Sequence, residues 1–517
     1  MSDRDAESAR PAVELAGIDK WFGAVHANRG ISFAVERGTI HGIVGENGAG
    51  KSTLVGILYG YHRPDAGSIA IHGKPVQFRS PQDALNAGIG MVHQHFMLVD
   101  TFTVLENVVL GAEAGFILRA TLQSARDKLA QLARDYHLEV DPDAIAGDLS
   151  VGHRQRVEIL KALFRGADIL ILDEPTGVLT PQEADHLFRI LRALKAEGKT
   201  IILITHKLRE ILDVTDAVTV VRQGQVVGQV ATKDTSAEGL AEMMVGRKVI
   251  LRIDKNPKQA GDVVLEVSGL CVADGMGHER LHGIDLKVRR GEIVGIAGVA
   301  GNGQSELLEA LAGIRPISGG RIMWKGEDIT DRPRLRTPKG MRHLGLGHVP
   351  EDRQRMGLVG AFGANESTIL GYHDDRSYNG PVLLDYDAVN ADSRRNMEEY
   401  DVRPLDEKLP TSSFSGGNQQ KIVVAREVAQ DPDLLLIGQP TRGVDIGAIE
   451  FIHKRLVELR DAGKGILLVS VELDEVMALS DRILVMFDGR IVGELAQADA
   501  TENELGLMMA GLTRAAA

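Results

Sequence analysis

The sequence predicts two consecutive α/β domains, each built on a parallel sheet, and three observations lead there. First, the chain repeats itself. GISFAVERGTIHGIVGENGAGKSTLVG at 30–56 is matched by GIDLKVRRGEIVGIAGVAGNGQSELLE at 283–309, so Gly298 stands 253 residues after Gly45. Leu149-Ser-Val-Gly152 and Phe414-Ser-Gly-Gly417 are 265 residues apart, as are Ile171-Leu-Asp-Glu-Pro-Thr176 and Leu436-Ile-Gly-Gln-Pro-Thr441. Landmarks in the same order at nearly constant spacing mean a duplicated domain of about 250 residues. Second, short continuous apolar runs such as Ile169–Leu172 and Ile466–Val471 read as parallel strands buried on both faces. Third, β-branched runs alternate with helical patterns in each half, the order expected of parallel α/β sheets.

The 517 residues divide accordingly. Residues 1–10 are expected to form a flexible arm, 11–247 the first domain, 248–262 a linker, 263–512 the second domain and 513–517 a tail. The linker is assigned from RKVILRIDKNPKQAGD at 247–262, which is polar and carries Lys, Pro and Gly. A composition of 44% hydrophobic and 25% charged residues is that of a globular chain and excludes a disordered or fibrous one. Lys and Arg number 59 against 72 Asp and Glu, a net charge of −13. Nucleic acid is therefore not expected as a partner, and any phosphate ligand requires a local site. The 12 Phe, 2 Trp and 7 Tyr are too few for a base-stacking platform. Cys271, the single cysteine, can form neither an intrachain disulfide nor a multi-cysteine zinc site, and reads as a packed thiol of a reducing compartment. Met1–Ser8 has no apolar core, so no signal peptide is expected there. No apolar run approaches the ~20 residues that cross a bilayer. Any membrane association is expected to run through partners.

Gly45-Glu-Asn-Gly-Ala-Gly-Lys51-Ser52 fits G-x-x-x-x-G-K-[ST] in full, between an apolar run at Ile40–Val44 and a helix-like segment at Thr53–Leu58. That is the strand–loop–helix setting in which backbone N–H groups wrap a phosphate chain. Lys51 is placed to neutralise the β- and γ-phosphates and Ser52 to ligate Mg²⁺. The apolar run 169–172 ends in Asp173 and Glu174, a metal carboxylate and a candidate general base for the attacking water. Alone, a strand ending in an acidic loop is common; paired with the phosphate loop it reads as the second half of a nucleotide site. His206 follows another apolar run, Thr200–Ile204, placed to contact the γ-phosphate or orient Glu174; a strand-end histidine by itself is more often structural.

The order of phosphate loop, Gln94, Leu149-Ser-Val-Gly152, Asp173-Glu174 and His206 resembles an ATP-binding cassette ATPase, and the resemblance covers nearly the whole chain twice. It implies two tandem cassettes, each with a RecA-like core, an antiparallel β subdomain and a helical subdomain, the first at about 95–150. It implies ATP and Mg²⁺ as ligands, with Ser52, Gln94 and Asp173 on the metal and Glu174, His206 and Gln94 in catalysis. Gly45, Asn47, Gly48, Ala49, Gly50, Lys51, Ser52 and Thr53 are then the phosphate loop, and Phe22, 29 residues before Lys51, the aromatic that stacks on adenine. In this family domains pair head to tail, each ATP between one phosphate loop and the opposite serine–glycine signature. The first site accordingly takes Ser415, Gly416, Gly417 and Asn418 from the second half, Asn418 standing where the usual signature has Gln.

The second site is expected to be degenerate. In Gly298-Val-Ala-Gly301-Asn-Gly303-Gln304-Ser305 the lysine is replaced by Gln304. Asp173 aligns with Gly438, Glu174 with Gln439, His206 with Val471 and Gln94 with Glu351. No aromatic aligns with Phe22, and the opposing signature, Ser150-Val151-Gly152-His153, has lost a Gly and the Gln. Lacking lysine, metal carboxylate and base together, this site is expected to hydrolyse ATP very slowly or not at all, and to bind nucleotide only weakly.

The short linker and acidic charge separate the chain from translation-factor cassettes, and the absence of long heptad runs or zinc cysteines from DNA-repair cassettes. Tandem cassettes with a weakened second phosphate loop resemble the ATP subunits of bacterial sugar and nucleoside importers. Val349-Pro-Glu-Asp-Arg353 and Gln439-Pro-Thr-Arg-Gly-Val-Asp445 look characteristic of that group. Val92-His-Gln-His-Phe-Met-Leu-Val99, Thr103-Val-Leu-Glu-Asn107 and Thr176-Gly-Val-Leu-Thr180 resemble the nucleoside branch, with the sugar branch as the alternative. A soluble regulatory or ribosome-associated ATPase is the alternative of a different class. The importer reading implies two integral-membrane permease subunits, an extracytoplasmic solute-binding protein reached indirectly, and a peripheral position on the cytoplasmic face. Permease contact is expected near Gln94–Leu98 and Glu351–Met356, where Phe96 and Met97 serve either as docking residues or as core.

Overall fold

The computed structural model describes residues 10–93, 96–111, 118–136, 138–177, 179, 181–205, 207–248, 255, 259–299, 301–380 and 383–512. The expected arm 1–10, apart from Arg10, and the tail 513–517 lie outside them, as do Gln94 and His206. The chain forms two compact units, 1–249 and 250–517, each described by itself below. The first strand of the second unit begins at Val263, where the linker was expected to end.

In the first unit a β hairpin, β1 (Val13–Phe22) and β2 (Val25–Val35), joins β4 (Ala66–Ile71) and β5 (Lys74–Val76) in an antiparallel sheet of order β2-β1-β4-β5. The main sheet is formed by β3 (Ile40–Val44), β6 (Ile89–Val92), β7 (Ile169–Asp173), β8 (Thr200–Ile204), β9 (Ala217–Arg222) and β10 (Gln225–Ala231). Its order is β10-β9-β3-β8-β7-β6, parallel throughout except for the β9–β10 edge. Every residue of β3 and β8 is buried, including His41 and Thr200, which is why neither strand alternates between apolar and exposed polar positions. Helices Val104–Val109 and Leu118–Asp135 fall within 95–150, where the helical subdomain was expected, and pack with Val151–Phe164, which begins just beyond it.

The second unit repeats this plan. β11 (Val263–Ala273), β12 (Glu279–Arg289), β14 (Gly319–Trp324) and β15 (Glu327–Asp328) form the antiparallel sheet, in the order β12-β11-β14-β15. The main sheet takes β13 (Ile293–Ala297), β16 (Leu346–Val349), β17 (Leu434–Gly438), β18 (Gly465–Ser470), β19 (Arg482–Phe487) and β20 (Arg490–Ala496). Its order, β16-β17-β18-β13-β19-β20, is that of the first unit. A core of Val294, Ile296, Leu308, Leu436, Leu467 and Leu484 holds strands to helices. Lys255, the one described residue of the mid-linker, donates to the carbonyls of Leu479 and Ser480, so this end of the linker belongs to the second unit.

Candidate nucleotide site

Open α/β sheets bind ligands at the carboxyl ends of their central strands. In the first unit β7, β8 and β3 are adjacent, so Asp173-Glu174, Thr205 and the phosphate loop emerge side by side. The loop runs from Gly45 to Gly50, and Lys51 opens helix Lys51–Leu58. Gly50 is left-handed (φ 100°), and a Cβ there would lie 2.4 Å from the Ala27 carbonyl oxygen, so the position admits only glycine. The buried Asn28 amide donates to the Gly50 carbonyl (3.1 Å), a brace that sequence reasoning did not find because a polar residue within a strand carries no motif.

Lys51 is buried, its Nζ donating to the carbonyls of Gly45 (2.6 Å) and Glu46 (3.0 Å). Burial lowers its pKa, against the charges of Glu174, Asp173 and Glu46, which raise it. Asp173 is pushed up, first by burial and then by Glu174, with Lys51 pulling the other way. Ammonium and carboxylates therefore share one electrostatic environment, as the motif pairing requires. Glu174 has a left-handed backbone (φ 47°), fixed by its N–H donating to the Ile204 carbonyl of β8 (2.8 Å). That turn carries its side chain off the end of the strand. A non-glycine residue held there is backbone strain of the kind that clusters at functional sites.

Phe22 ends β1, half-exposed, its ring edge-on to His62 with Lys20 above it. A half-exposed aromatic at this place is suited to receive a planar base. A second feature missed in sequence is the buried Thr176 hydroxyl donating to Glu210, which ties the segment after Glu174 to helix Leu208–Val214.

The second unit keeps the scaffold and changes the chemistry. Gly303 is left-handed (φ 103°), like Gly50. Buried Gln304 turns its amide back to the Val299 carbonyl (3.1 Å), the same loop bond that Lys51 makes, without the charge. Gln439 keeps the left-handed backbone of Glu174 (φ 48°), and its side chain accepts from the Val471 N–H (3.3 Å). Leu281 stands at the place of Asn28, and Asp274 organises the hairpin turn that replaces Phe22 by accepting from the N–H groups of Met276 and His278. The Ser305 hydroxyl donates to the Glu351 carboxylate, whose pKa is raised by burial and held back by that bond and by Arg442.

Both signatures cap helices. Ser150 starts Val151–Phe164, its hydroxyl meeting the ring of His153 (2.8 Å); Ser415 starts Gly416–Val428, and Asn418 donates to it (2.9 Å). Within the second unit Arg353 donates to the carbonyls of Arg442 (2.6 Å) and Gly443 (3.2 Å). The two segments singled out in sequence, 349–353 and 439–445, are thus one contact. An apolar patch appears in equivalent places of each unit: Met97, Val99 and Phe102 in the first, Met356, Val359 and Phe362 in the second, all exposed. Phe102 donates its N–H to Val99 and Phe362 to Val359, the same turn in both. Met97 is 57% exposed, whereas Phe96 is only partly so, which separates the two residues that sequence treated together.

Among the described residues no helix is long and apolar enough to cross a membrane. The profile of the family described as ABC transporter matches residues 28–177 and 281–442. The chain is 47% identical to the nucleoside import ATP-binding protein NupA of Lactococcus lactis, over 96% of this chain and 98% of that one. It is also 47% identical to the guanosine import ATP-binding protein NupO of Bacillus subtilis, over 97% and 98%. Identity to the ribose import ATP-binding protein RbsA 1 of Rubrobacter xylanophilus is 40%, over 97% and 99%. With a complete phosphate loop and acidic strand end in one unit and their altered copies in the next, the chain belongs to the ABC transporter family, as two tandem ATP-binding cassettes.

Proposed function

We propose that the chain is the ATP-hydrolysing subunit of an importer for nucleosides, and that only its first cassette carries hydrolytic machinery. The observation that carries the hydrolytic part is the Lys51–Asp173–Glu174 group, three ionisable side chains coupled in one partly buried environment. The nucleoside part rests on 47% identity to two nucleoside-import relatives along nearly the whole chain. The same relatives, import ATP-binding proteins by name, support membrane permeases as partners; two such permeases and a peripheral position on the cytoplasmic face are part of this reading.

The first unit's donors suit Mg²⁺ with a nucleotide. Ser52 supplies a hydroxyl at the helix start and Asp173 a carboxylate at the strand end, with Gln94 as a further ligand. Bound there, Mg²⁺ would supply neutralising charge to the triphosphate. Lys51 exchanges its two carbonyl partners for phosphate oxygens. Backbone N–H groups of the loop and the first helical turn hold the triphosphate. Phe22 stacks on the base. Glu174 accepts the proton of the attacking water as its oxygen bonds to the γ-phosphorus and the bond to the ADP oxygen breaks; His206 orients Glu174. Ser415 and the N–H groups of Gly416, Gly417 and Asn418, at the start of helix Gly416–Val428, are by the family pattern the second unit's own phosphate-holding groups. ATP binding and hydrolysis drive the permeases between their two states, because each nucleotide state favours the form it binds better. The exposed patches at Met97–Phe102 and Met356–Phe362 are the surfaces on which the permeases bear.

A sugar is the second reading, favoured by 45% identity to a glucose import ATP-binding protein of Haloferax volcanii. The test is a binding screen on the cognate solute-binding protein. Micromolar or tighter binding of nucleosides with none of pentoses or hexoses supports the reading; the reverse pattern replaces it with the sugar.

A further inference from the structure

The exposed apolar patch of each unit is held by charged side chains of the helix that a signature serine starts. In the first unit Met97 lies in a stretch with no helix or strand of its own, yet both polar groups of its backbone are bound. Glu158 accepts the Met97 N–H (2.6 Å), and Lys161 donates to the Met97 carbonyl (2.9 Å). Both side chains come from helix Val151–Phe164, about one turn apart. They pair with each other at 4.0 Å and are only 4% and 15% exposed. Burial pushes the Glu158 pKa up and that of Lys161 down, and each charge opposes the shift of the other. Two residues on, the buried Asn107 accepts the Val99 N–H (2.7 Å) and donates to the Val99 carbonyl (3.1 Å). The backbone of the patch is thus pinned to its subdomain while the Met97 side chain stays exposed.

The second unit reaches the same end with a different acid. Arg426, the counterpart of Lys161 at the spacing of the two signatures, donates to the carbonyl of Gly357 (2.8 Å), next to the exposed Met356, and to that of Ser367 (3.2 Å). Its ion-pair partner is Glu427 (2.9 Å), fully buried. Val423 stands at the place of Glu158, and Ala162 at that of Glu427. Glu427 also accepts the Tyr372 hydroxyl (2.7 Å) and the His348 N–H of β16 (3.2 Å). A buried ion pair is costly to desolvate, and apolar residues of the same volume often serve stability as well or better. A base retained at the same helical place in two diverged copies, each time on a carbonyl of the patch segment, points to a use beyond holding the subdomain together.

We propose that Lys161 with Glu158 is a positioning pair, and Arg426 with Glu427 its counterpart, tying the patch on which a permease bears to the helix begun by the signature serine. The connection is short and stiff: Ser150 and Lys161 stand about 16 Å apart along one helix. A displacement of Met97 is then a displacement of the helix that Ser150 caps. This rests on reading the patches as permease surfaces, and goes beyond it in naming the side chains that join patch and signature.

The test uses the transporter reconstituted from the full-length chain, its permeases and its solute-binding protein, with a mixture of purine and pyrimidine nucleosides as the solute. Lys161→Met keeps an apolar stem and removes the donor. It should lower solute-stimulated ATP turnover by about 3–30-fold, the range of a residue that carries coupling, while the KM for ATP and copurification of the permeases stay unchanged. Lys161→Arg, which supplies the donor used in the second unit, should restore stimulation, and Arg426→Met against Arg426→Lys should give the same order. Stimulation undiminished by Lys161→Met overturns the inference alone. So does a Lys161→Met chain that loses melting temperature, KM and kcat together and is not rescued by Lys161→Arg, the mark of a merely structural bond. Met97→Asp that leaves both copurification and stimulation unchanged overturns the docking reading beneath it.

Discussion

The first phosphate loop and the second share a backbone and differ in almost every group that does chemistry. Both enter their helix through a left-handed glycine, and both strand ends turn through a left-handed non-glycine residue, Glu174 at φ 47° and Gln439 at φ 48°. Lys51 and Gln304 even make equivalent bonds to the loop carbonyls. The conformation is therefore not what hydrolysis selects for; it persists where the lysine, the metal carboxylate and the base are gone. What the halves share is the conformation of the loop and strand end, and what separates them is the lysine, the strand-end carboxylate and the base.

The sharpest way to break that comparison is to remove the loop cation and its neutral counterpart in parallel. Lys51→Ala should lower ATP turnover of the reconstituted transporter by about 10²–10³-fold, the scale of losing a preorganised charge on the transferring phosphate. Gln304→Ala should leave turnover within a few-fold, because Gln304 contributes a loop bond and not a charge. Its cost should appear instead as about 1 kcal/mol in the unfolding of the second unit, the worth of one buried hydrogen bond. Equal losses of turnover from the two variants would contradict the division of labour.

A smaller effect concerns the apolar patches. Replacing Phe96 and Met97 with Asp should weaken copurification with the permeases by about tenfold or more, the scale of losing an apolar anchor. Met97 should account for most of it, since it is the exposed member of the pair. Met356→Asp with Phe362→Asp tests the matching patch; unchanged copurification of both variants would remove the docking role.

The smallest effect is on stability and pH. Burial and Glu174 raise the pKa of Asp173. Between the ordinary carboxylate value and the raised one, the folded chain holds more protons than the unfolded chain, so stability falls as pH rises through that window. Above it, the ionised Asp173 is a standing cost that Gly438 does not impose. Asp173→Asn should therefore raise the melting temperature of the nucleotide-free chain by a few degrees near neutral pH, and by less on acidification. A melting temperature lowered by this change would mean that the carboxylate is a structural ligand rather than a strained functional one.

Much of this was legible in the sequence because the informative features are local. An apolar run followed by a glycine loop and Lys51, or by Asp173-Glu174, specifies strand, turn and chemistry within a few residues, and β3, β7 and β8 lie where those runs place them. What escaped is what arises between distant segments. Alignment pairs Glu351 with Gln94 and Gly438 with Asp173, yet does not say that a Cβ at 438 would lie 2.5 Å from Cγ of Glu351. The link from Arg353 to the carbonyls of residues 442 and 443 appears in sequence only as two separately recognisable motifs. The braces Asn28–Gly50 and Thr176–Glu210 have no sequence signal, because a buried polar residue looks like any other until its partner is placed. Gln94 and His206 lie outside the described residues, and their roles rest on the motif pattern alone.

The central claim, one hydrolytic cassette in two, is tested most directly by steady-state ATPase activity of the reconstituted transporter carrying Glu174→Gln. Loss of the base should reduce turnover by about 10²–10⁴-fold, while Gln439→Glu, lacking a lysine at 304, a carboxylate at 438 and a histidine at 471, leaves turnover near that of the unaltered protein. Half the activity surviving Glu174→Gln would show a second working site and contradict the account.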